Sequence, residues 1–279
     1  MRTPRFRHHP TGHVIIDTPH RTTPAAKHEG LTLLQRTMAR HVDLSVSDKD
    51  LLAGFEQSPQ SIDKKTLLWR THANVRELYL LQRGWASTLR LSRDGEQQVI
   101  ELLLPGDIVG LGEFTFMKHV SEAIMVTQGT VVPFPHEKIV DIISASTPIA
   151  IALFANISRQ QALVTERMLI THHRSARSRL LHFIIETFFR LDKIHHVDLA
   201  SFAFPVSQRL LANILGLSPV HINRLLKALE HDGMLRKYSR HIEVYDVKRM
   251  FEEAEFDTDY LGDEMDGLKE RLTQLQHPG

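Results

Sequence analysis

The sequence predicts an α+β chain in three successive parts: a strand-rich N-terminal half, one long helix, and a C-terminal winged helix-turn-helix. Three observations carry this. Between Val206 and His231 two short helices meet at a tight turn. Between Leu67 and Phe134 short apolar runs alternate with turn signals. From Thr147 apolar residues step by four and three for about seven turns.

The stretch VSQRLLANILGLSPVHINRLLKALEH is the most informative. In its first helix Leu211, Ile214 and Leu215 share a face. Gly216 follows, where a helix commonly ends in a left-handed cap. Ser218 is a good N-cap, and Pro219 suits the first helical position, whose N–H would go unpaired anyway. The second helix is expected to bury Ile222, Leu225, Leu226 and Leu229, leaving Val220, Asn223, Arg224 and Lys227 outward. Such a polar and cationic face, beginning at the helix N-terminus, fits a major groove. A packed helical hairpin with a solvated face is the plainer alternative. The continuation MLRKYSRHIEVYDV reads as a β-hairpin, Met234–Tyr238 and His241–Tyr245, with a basic tip at Lys237–Arg240. Helix-turn-helix followed by such a hairpin is a winged helix.

The strand-rich region contains the runs LLW, ELYLLQRGW, STLRLSRDG and QQVIELLLPGD. Arg93-Asp94-Gly95 between two alternating runs is a hairpin cue, and Pro105-Gly106-Asp107 marks another turn. Strands at this spacing suggest a small barrel or sandwich whose interior is a ligand pocket. Before it, Leu31, Leu34, Met38 and Val42 suggest a short helix, and a second, starting near Ser47, carries Leu51, Leu52 and Phe55.

On the long helix Ala150, Phe154, Ile157, Gln161, Val164, Met168 and Thr171 form a seam at heptad spacing. A polar Gln161 mid-seam costs stability and can fix register. A helix lying against the barrel, with Leu153 and Leu163 inward, is compatible with the same pattern. The seam makes a two-fold dimer the expectation. Arg174–Arg179 (RSARSR) reads as a hinge and cap, and Leu180–Leu191 as an apolar helix flooring the helix-turn-helix. Residues 192–205 read as a connector. After the wing, Glu252–Asp266 is acidic. Leu261, Met265, Leu268, Leu272 and Leu275 suggest an amphipathic tail helix, weakened by Gly262 and Gly267.

Composition excludes several classes. Lys and Arg total 34 against 33 Asp and Glu, so a basic surface must come from distribution. There is no cysteine, which rules out disulfides, thiolate catalysis and a cysteine-ligated iron–sulfur cluster. No apolar run nears the roughly 20 residues of a membrane helix. Arg2, Arg5 and Arg7 lack the apolar segment of a secretory signal, so a cytoplasmic protein without membrane partners is expected. No P-loop, nucleophile elbow or HExxH is present, so no enzyme is expected. No metal site is read from the dispersed histidines, His8, His9, His13 and His20 among them.

Barrel, long helix and winged helix, in that order, resemble the Crp/Fnr transcription regulators over about Leu31 to Met250. LLLPGDIVGLGEF, RSARSRLLHFI and LANILGLSPVHINRLLKALEHDGML carry the resemblance. The last is similar to the subgroup with a Val-His-x-Asn-Arg recognition helix. The resemblance implies a double-stranded, jelly-roll-like β-roll as sensor, a dimerisation helix and a DNA-binding domain. The chain then divides as a flexible basic arm (1–27), sensor (28–146), dimerisation helix (147–173), winged helix-turn-helix (174–250) and acidic tail (251–279). A homodimer on a palindromic site, contacting RNA polymerase, is the implied state.

Residue by residue, Arg224 matches the family's base-reading arginine, with Pro219, Val220 and Asn223 at the other base-facing positions. Ser207, Gln208 and Arg209 match phosphate-contacting positions, and His221, Lys227, Lys237 and Arg240 are further phosphate candidates. Phe154, Ile157, Gln161, Val164 and Met168 make the dimer seam. The effector pocket departs from the cyclic-nucleotide pattern. Gly110-Leu111-Gly112 replaces its first part, and Ser121-Glu122 stands where the phosphate-clamping arginine is needed. A buried phosphate needs a cationic or N–H partner, and Glu122 would repel it. Cyclic AMP is therefore not the expected effector. His119, His136, His172 and His173 are available to a haem, though no spacing singles them out. The competing reading is a ligand-binding sensor whose winged helix makes only protein contacts.

Overall fold

The computed structural model describes residues 5–8, 14–17, 30–95, 97–195 and 197–262, with 265, 268, 270 and 271. They form two compact units: the described residues of 22–87, 102–162 and 262–279, and those of 1–21, 88–101 and 163–261.

β1 (Arg5–His8) and β2 (Val14–Asp17) pair antiparallel, Arg5 opposite Asp17. The expectation of a flexible basic arm did not include them; the β-branched run Val14-Ile15-Ile16 favours a strand. The rest of that arm lies outside the described residues.

Two short helices follow, α1 (Leu33–Ala39) and α2 (Val46–Ala53). Each starts at a capping box: Thr32 with Gln35, and Ser45 with Asp48. Eight strands come next: β3 (Gln60–Ile62), β4 (Leu67–Trp69), β5 (Glu77–Arg83), β6 (Ala86–Leu91), β7 (Gln97–Leu103), β8 (Ile108–Val109), β9 (Glu122–Met125) and β10 (Gly129–Pro135). They make two four-stranded sheets, β3-β10-β5-β8 and β4-β9-β6-β7, the β-roll that the sequence predicts. Leu78 and Leu80 are fully buried on one face of β5 and Leu81 on the other, each face packing into a separate apolar cluster. Four strands, β3, β8, β9 and β10, and a helix, α3 (Lys138–Ala145), were not separately legible. α4 (Thr147–His173) is the long helix.

The second unit is built on α5 (Ala176–His195), whose Leu180, Leu181, Ile184 and Ile185 are fully buried. β11 (Ser201–Ala203), α6 (Gln208–Leu215), α7 (Pro219–His231), β12 (Leu235–Lys237), β13 (His241–Val244) and α8 (Val247–Ala254) complete it. Two expectations change here. The connector over 192–205 contains β11, which pairs with β13 and makes the wing three-stranded in the order β11-β13-β12. Its alternation is only three residues long, with Phe202 inward. The chain from 251 to Leu261 is also part of the core rather than a solvated tail. Phe251, Phe256 and Leu261 are buried, and the first two rings meet Phe189 at centroid distances of 6.0 and 5.6 Å. Of the expected tail helix, Leu272 and Leu275 lie outside the described residues.

Within the roll a polar clasp closes the segment before β9. Gly110 has φ +93, and a Cβ there would come within 2.9 Å of Leu78 and 3.2 Å of Trp69. This permits the 3₁₀ turn Leu111–Glu113. Glu113 then accepts hydrogen bonds from Ser121 Oγ at 2.7 Å and pairs with His119 Nδ1 at 2.8 Å. The His119 ring stacks on Trp69 with centroids 4.2 Å apart, and Trp69 Nε1 donates to the Ser121 carbonyl. Burial alone would push the Glu113 carboxyl up; the hydrogen bonds from His119 and Ser121 outweigh it and hold it below the ordinary carboxylate range.

A carboxyl depressed by folding stabilises the native state above its unfolded value, roughly pH 4.3, and loses that contribution as pH falls through the lowered folded value. Glu113→Gln should therefore cost about 1–3 kcal/mol at neutral pH. The deficit relative to wild type should shrink in acid below the unfolded carboxylate value. Urea unfolding at a series of pH values measures it; a pH-independent deficit would contradict the clasp.

Candidate nucleic-acid interface

The turn between α6 and α7 is set by two residues. Gly216 caps α6 in the left-handed region, φ 64 and ψ 40, and Ser218 accepts a hydrogen bond from the His221 N–H at 3.2 Å. Pro219 occupies the first helical position. Ile222, Leu226 and Leu229 are then buried, and Leu225 is half-buried rather than buried. The opposite face stays open. Val220 is 81% exposed, Pro219 and Arg224 are exposed, and Asn223 is half-buried. Asn223 Nδ2 donates to Gln208 Oε1 at 3.1 Å, joining the two helices across the turn.

The expected phosphate contacts divide into three groups. Arg209, Lys227 and Arg240 are exposed and, like Arg224, have no carboxylate partner among the described residues. By contrast, Arg236 pairs with Glu230 at 3.0 Å. Gln208 is exposed and His221 half-buried, and Ser207 Oγ accepts from the Leu210 N–H as the N-cap of α6. Lys237 departs from the expectation of an outward cation at the wing tip. Its Nζ donates to the Tyr238 carbonyl at 2.8 Å and lies 5.7 Å from the Phe204 ring centroid. Burial pulls its pKa down. Arg240 is therefore the outward charge of that hairpin.

On α4 the seam residues are unequally placed. Phe154 and Met168 are 59% and 61% exposed, and Gln161 is exposed. Ile157 and Val164 are half-buried, Ile157 against the core of the roll. The open row runs Phe154, Ser158, Gln161, Thr165, Met168, His172, still stepping by four and three.

In the effector region Leu111 and Ser121 are buried, Glu122 is half-buried, and a Cβ at Gly112 would meet open space. Sequence reasoning singled out Glu122 and missed Glu113, the carboxylate on which Ser121 and His119 converge. No local pattern ties residues six and eight positions apart across a turn. Among the described residues no group of three or more His, Asp or Glu side chains is placed to hold a metal ion, and no helix is long and apolar enough to cross a membrane.

Comparison with known proteins agrees with this geometry. Residues 59–146 match the cyclic nucleotide-binding domain, and residues 178–252 match the Crp-like helix-turn-helix domain. The chain is similar to an anaerobic regulatory protein of Pasteurella multocida, 24% identical over 209 residues that cover 75% of this chain and 76% of that one. It is 22% identical to the fumarate and nitrate reduction regulatory protein of Vibrio cholerae, over 76% of this chain and 84% of that one. Among solved structures, FixK2 from Bradyrhizobium japonicum superposes with a TM-score of 0.63 at 22% identity, covering 70% of this chain and 96% of that one. The c-di-GMP-responsive global regulator CLP of Xanthomonas campestris gives 0.55 at 19%, covering 71% and 98%. With both domains present, in this order, the chain belongs to the Crp/Fnr family of transcription regulators.

Proposed function

We propose that this chain works as a homodimer that binds a palindromic DNA site through α7 and answers to a signal other than cyclic AMP. The observation that carries the DNA reading is the open face of α7. Val220 and Arg224 stand outward one turn apart, flanked by cations without carboxylate partners among the described residues, while the opposite stripe is buried. An exposed apolar residue beside an unpaired arginine suits a thymine methyl next to a guanine edge. The order Val220-His221-x-Asn223-Arg224 supports membership of the Val-His-x-Asn-Arg subgroup. Pro219 and Asn223 complete the base-facing set. Arg209, Lys227 and Arg240, with Ser207, Gln208 and His221, suit the phosphates; Lys237 is the least suited of them.

The open row on α4 supports the dimer, with Phe154 and Met168 as its apolar points and Gln161 as its polar one. Two such helices related by a two-fold axis would cover both rows, and the two recognition helices would then enter successive major grooves about 34 Å apart. Contact with RNA polymerase and a cytoplasmic location follow from this role.

The clasp in the roll argues against a cyclic nucleotide. A phosphate there would face Glu113, the sequence carries Ser121-Glu122 where the clamping arginine is needed, and the Ser121 hydroxyl is already donated to the Glu113 carboxylate. An unpaired anion against a half-buried carboxylate is unfavourable.

Sites selected from random DNA should be palindromic. Arg224→Ala should weaken binding to the selected site by about 1–3 kcal/mol and relax preference at one position in each half-site. Wild-type affinity should fall steeply with salt, as several phosphates are neutralised. Unchanged binding by the variant, or a flat salt response, would remove α7 from the interface.

Met168→Asp should convert the dimer to monomer in light scattering and abolish high-affinity binding. Met168 is the better test than Ile157, because a charge at Ile157 would also enter the core of the roll. Titration calorimetry with cyclic AMP at millimolar concentration should give no binding heat. Saturable heat would overturn the reading of the clasp.

A further inference from the structure

The hinge segment RSARSR sits between the end of α4 at His173 and the first turn of α5. Three of its arginines each reach the C-terminal end of a different helix. Arg174 Nη1 donates to the carbonyls of Ala254 and Glu255, where α8 stops. Arg179 Nη1 donates to the Leu215 carbonyl at the end of α6, at 3.3 Å. Arg177 does more. Its Nη1 donates to Asp232 Oδ2 at 2.7 Å, and its Nε donates to Glu253 Oε2 at 2.7 Å. Asp232 is the C-cap of α7, and Glu253 lies in the last turn of α8. Helix C-termini carry partial negative charge and unpaired carbonyls, so a guanidinium is favoured there. α6, α7 and α8 thus all end on one short arginine-rich segment.

Arg177 differs from its two neighbours in gripping side chains of two helices at once. A planar guanidinium with donors on separate edges suits this, and a lysine does not. The link is reinforced from the other side: Arg249 Nε meets Glu253 Oε1 at 2.9 Å, and its Nη1 lies 3.4 Å from the Asp232 carbonyl. Glu253, Ala254 and Glu255 lie past residue 252, so the anchors on α8 come from the chain beyond the matched helix-turn-helix domain.

The position of Asp232 gives the link its leverage. The base-facing residues are at the N-terminal end of α7, and Asp232 is at the other end. Thirteen residues at about 1.5 Å each make a lever of roughly 20 Å, so a tilt of about 10° at Asp232 moves the front of the helix by about 3 Å. Hydrogen bonds to base edges do not survive a shift of that size.

We propose that Arg177 is the positioning residue of the DNA-reading helix: by tying Asp232 to Glu253 it fixes the tilt at which Val220, Asn223 and Arg224 meet the bases. This rests on the DNA-binding reading above. Because the same segment adjoins the end of α4, the link also sets α7 relative to the last turns of that helix.

The test uses the full chain with Arg177→Gln, Asp232→Asn and the double variant. Each is titrated against the selected site and against a scrambled duplex of equal length, at several salt concentrations. Each single variant should lose five- to tenfold in affinity for the selected site, keep scrambled-duplex binding within twofold, and keep the wild-type salt slope. The double variant should be no worse than either single, because both cut one link. A simple charge effect would move the singles in opposite directions and overturn the proposal. So would a fall in the salt slope by about one for Arg177→Gln, which would place Arg177 on a phosphate. If Arg177→Gln lowers the melting temperature too far to be titrated, Arg177→Lys takes its place. Lysine reaches one carboxylate only, so a partial loss confined to the selected site supports the link and wild-type selectivity refutes it. A wild-type chain that selects no sequence at all would defeat the DNA reading itself, a result distinct from any of these.

Discussion

The arrangement of the C-terminal unit depends on one tight turn. Gly216 takes a left-handed conformation that other residues reach only with strain, and Ser218 starts the next helix two residues later. This spacing sets the rotation of α7 about its own axis. A different rotation would put Arg224 where Ile222 or Leu226 now lies, burying an unpaired guanidinium and exposing the apolar stripe. The hydrophobic penalty of that exchange holds the recognition face outward. The Asn223–Gln208 hydrogen bond adds a lateral tie across the same turn. The exposure of Val220 and Arg224 follows from this geometry.

The β-roll obeys the opposite logic. Where Arg209, Arg224, Lys227 and Arg240 have no carboxylate partner among the described residues, Glu113 in the roll is paired internally. Glu113 is held by His119 and Ser121, with the Trp69 ring stacked on His119, and the 3₁₀ turn that delivers it requires the positive φ of Gly110. The shell of a cyclic nucleotide-binding domain is kept, and within it the Glu113 carboxylate is paired with His119 and Ser121. A shared fold does not fix the ligand, because sheet pairing depends on the backbone and on apolar alternation, whereas recognition depends on a few polar side chains.

Much of this was legible in the chain. The cap, proline and apolar stripe of α7 are local features with periods of a few residues, and the structure follows them closely. The long helix is legible for the same reason. β11 was not, because three alternating residues carry too little pattern to separate a strand from a connector. The segment from Phe251 to Leu261 misled because its acidic residues dominate the composition, while Phe251, Phe256 and Leu261 are what the core buries. Lys237 misled because an exposed hairpin tip was assumed to turn its cation outward; an aromatic ring and a carbonyl drew it in.

What the amino-acid order determined by itself is the set of elements and their faces: helices where apolar residues recur at three and four, strands where they alternate, turns where glycine and proline interrupt. These depend on backbone sterics and on burying one side of each element, both of which act over short stretches. What only the tertiary structure decided is which distant side chains meet. Glu113 with His119 and Ser121, and Arg177 with Asp232 and Glu253, are polar contacts between segments whose separation carries no period. Their geometry follows from how the elements pack, and long-range packing is the one quantity that local pattern does not encode.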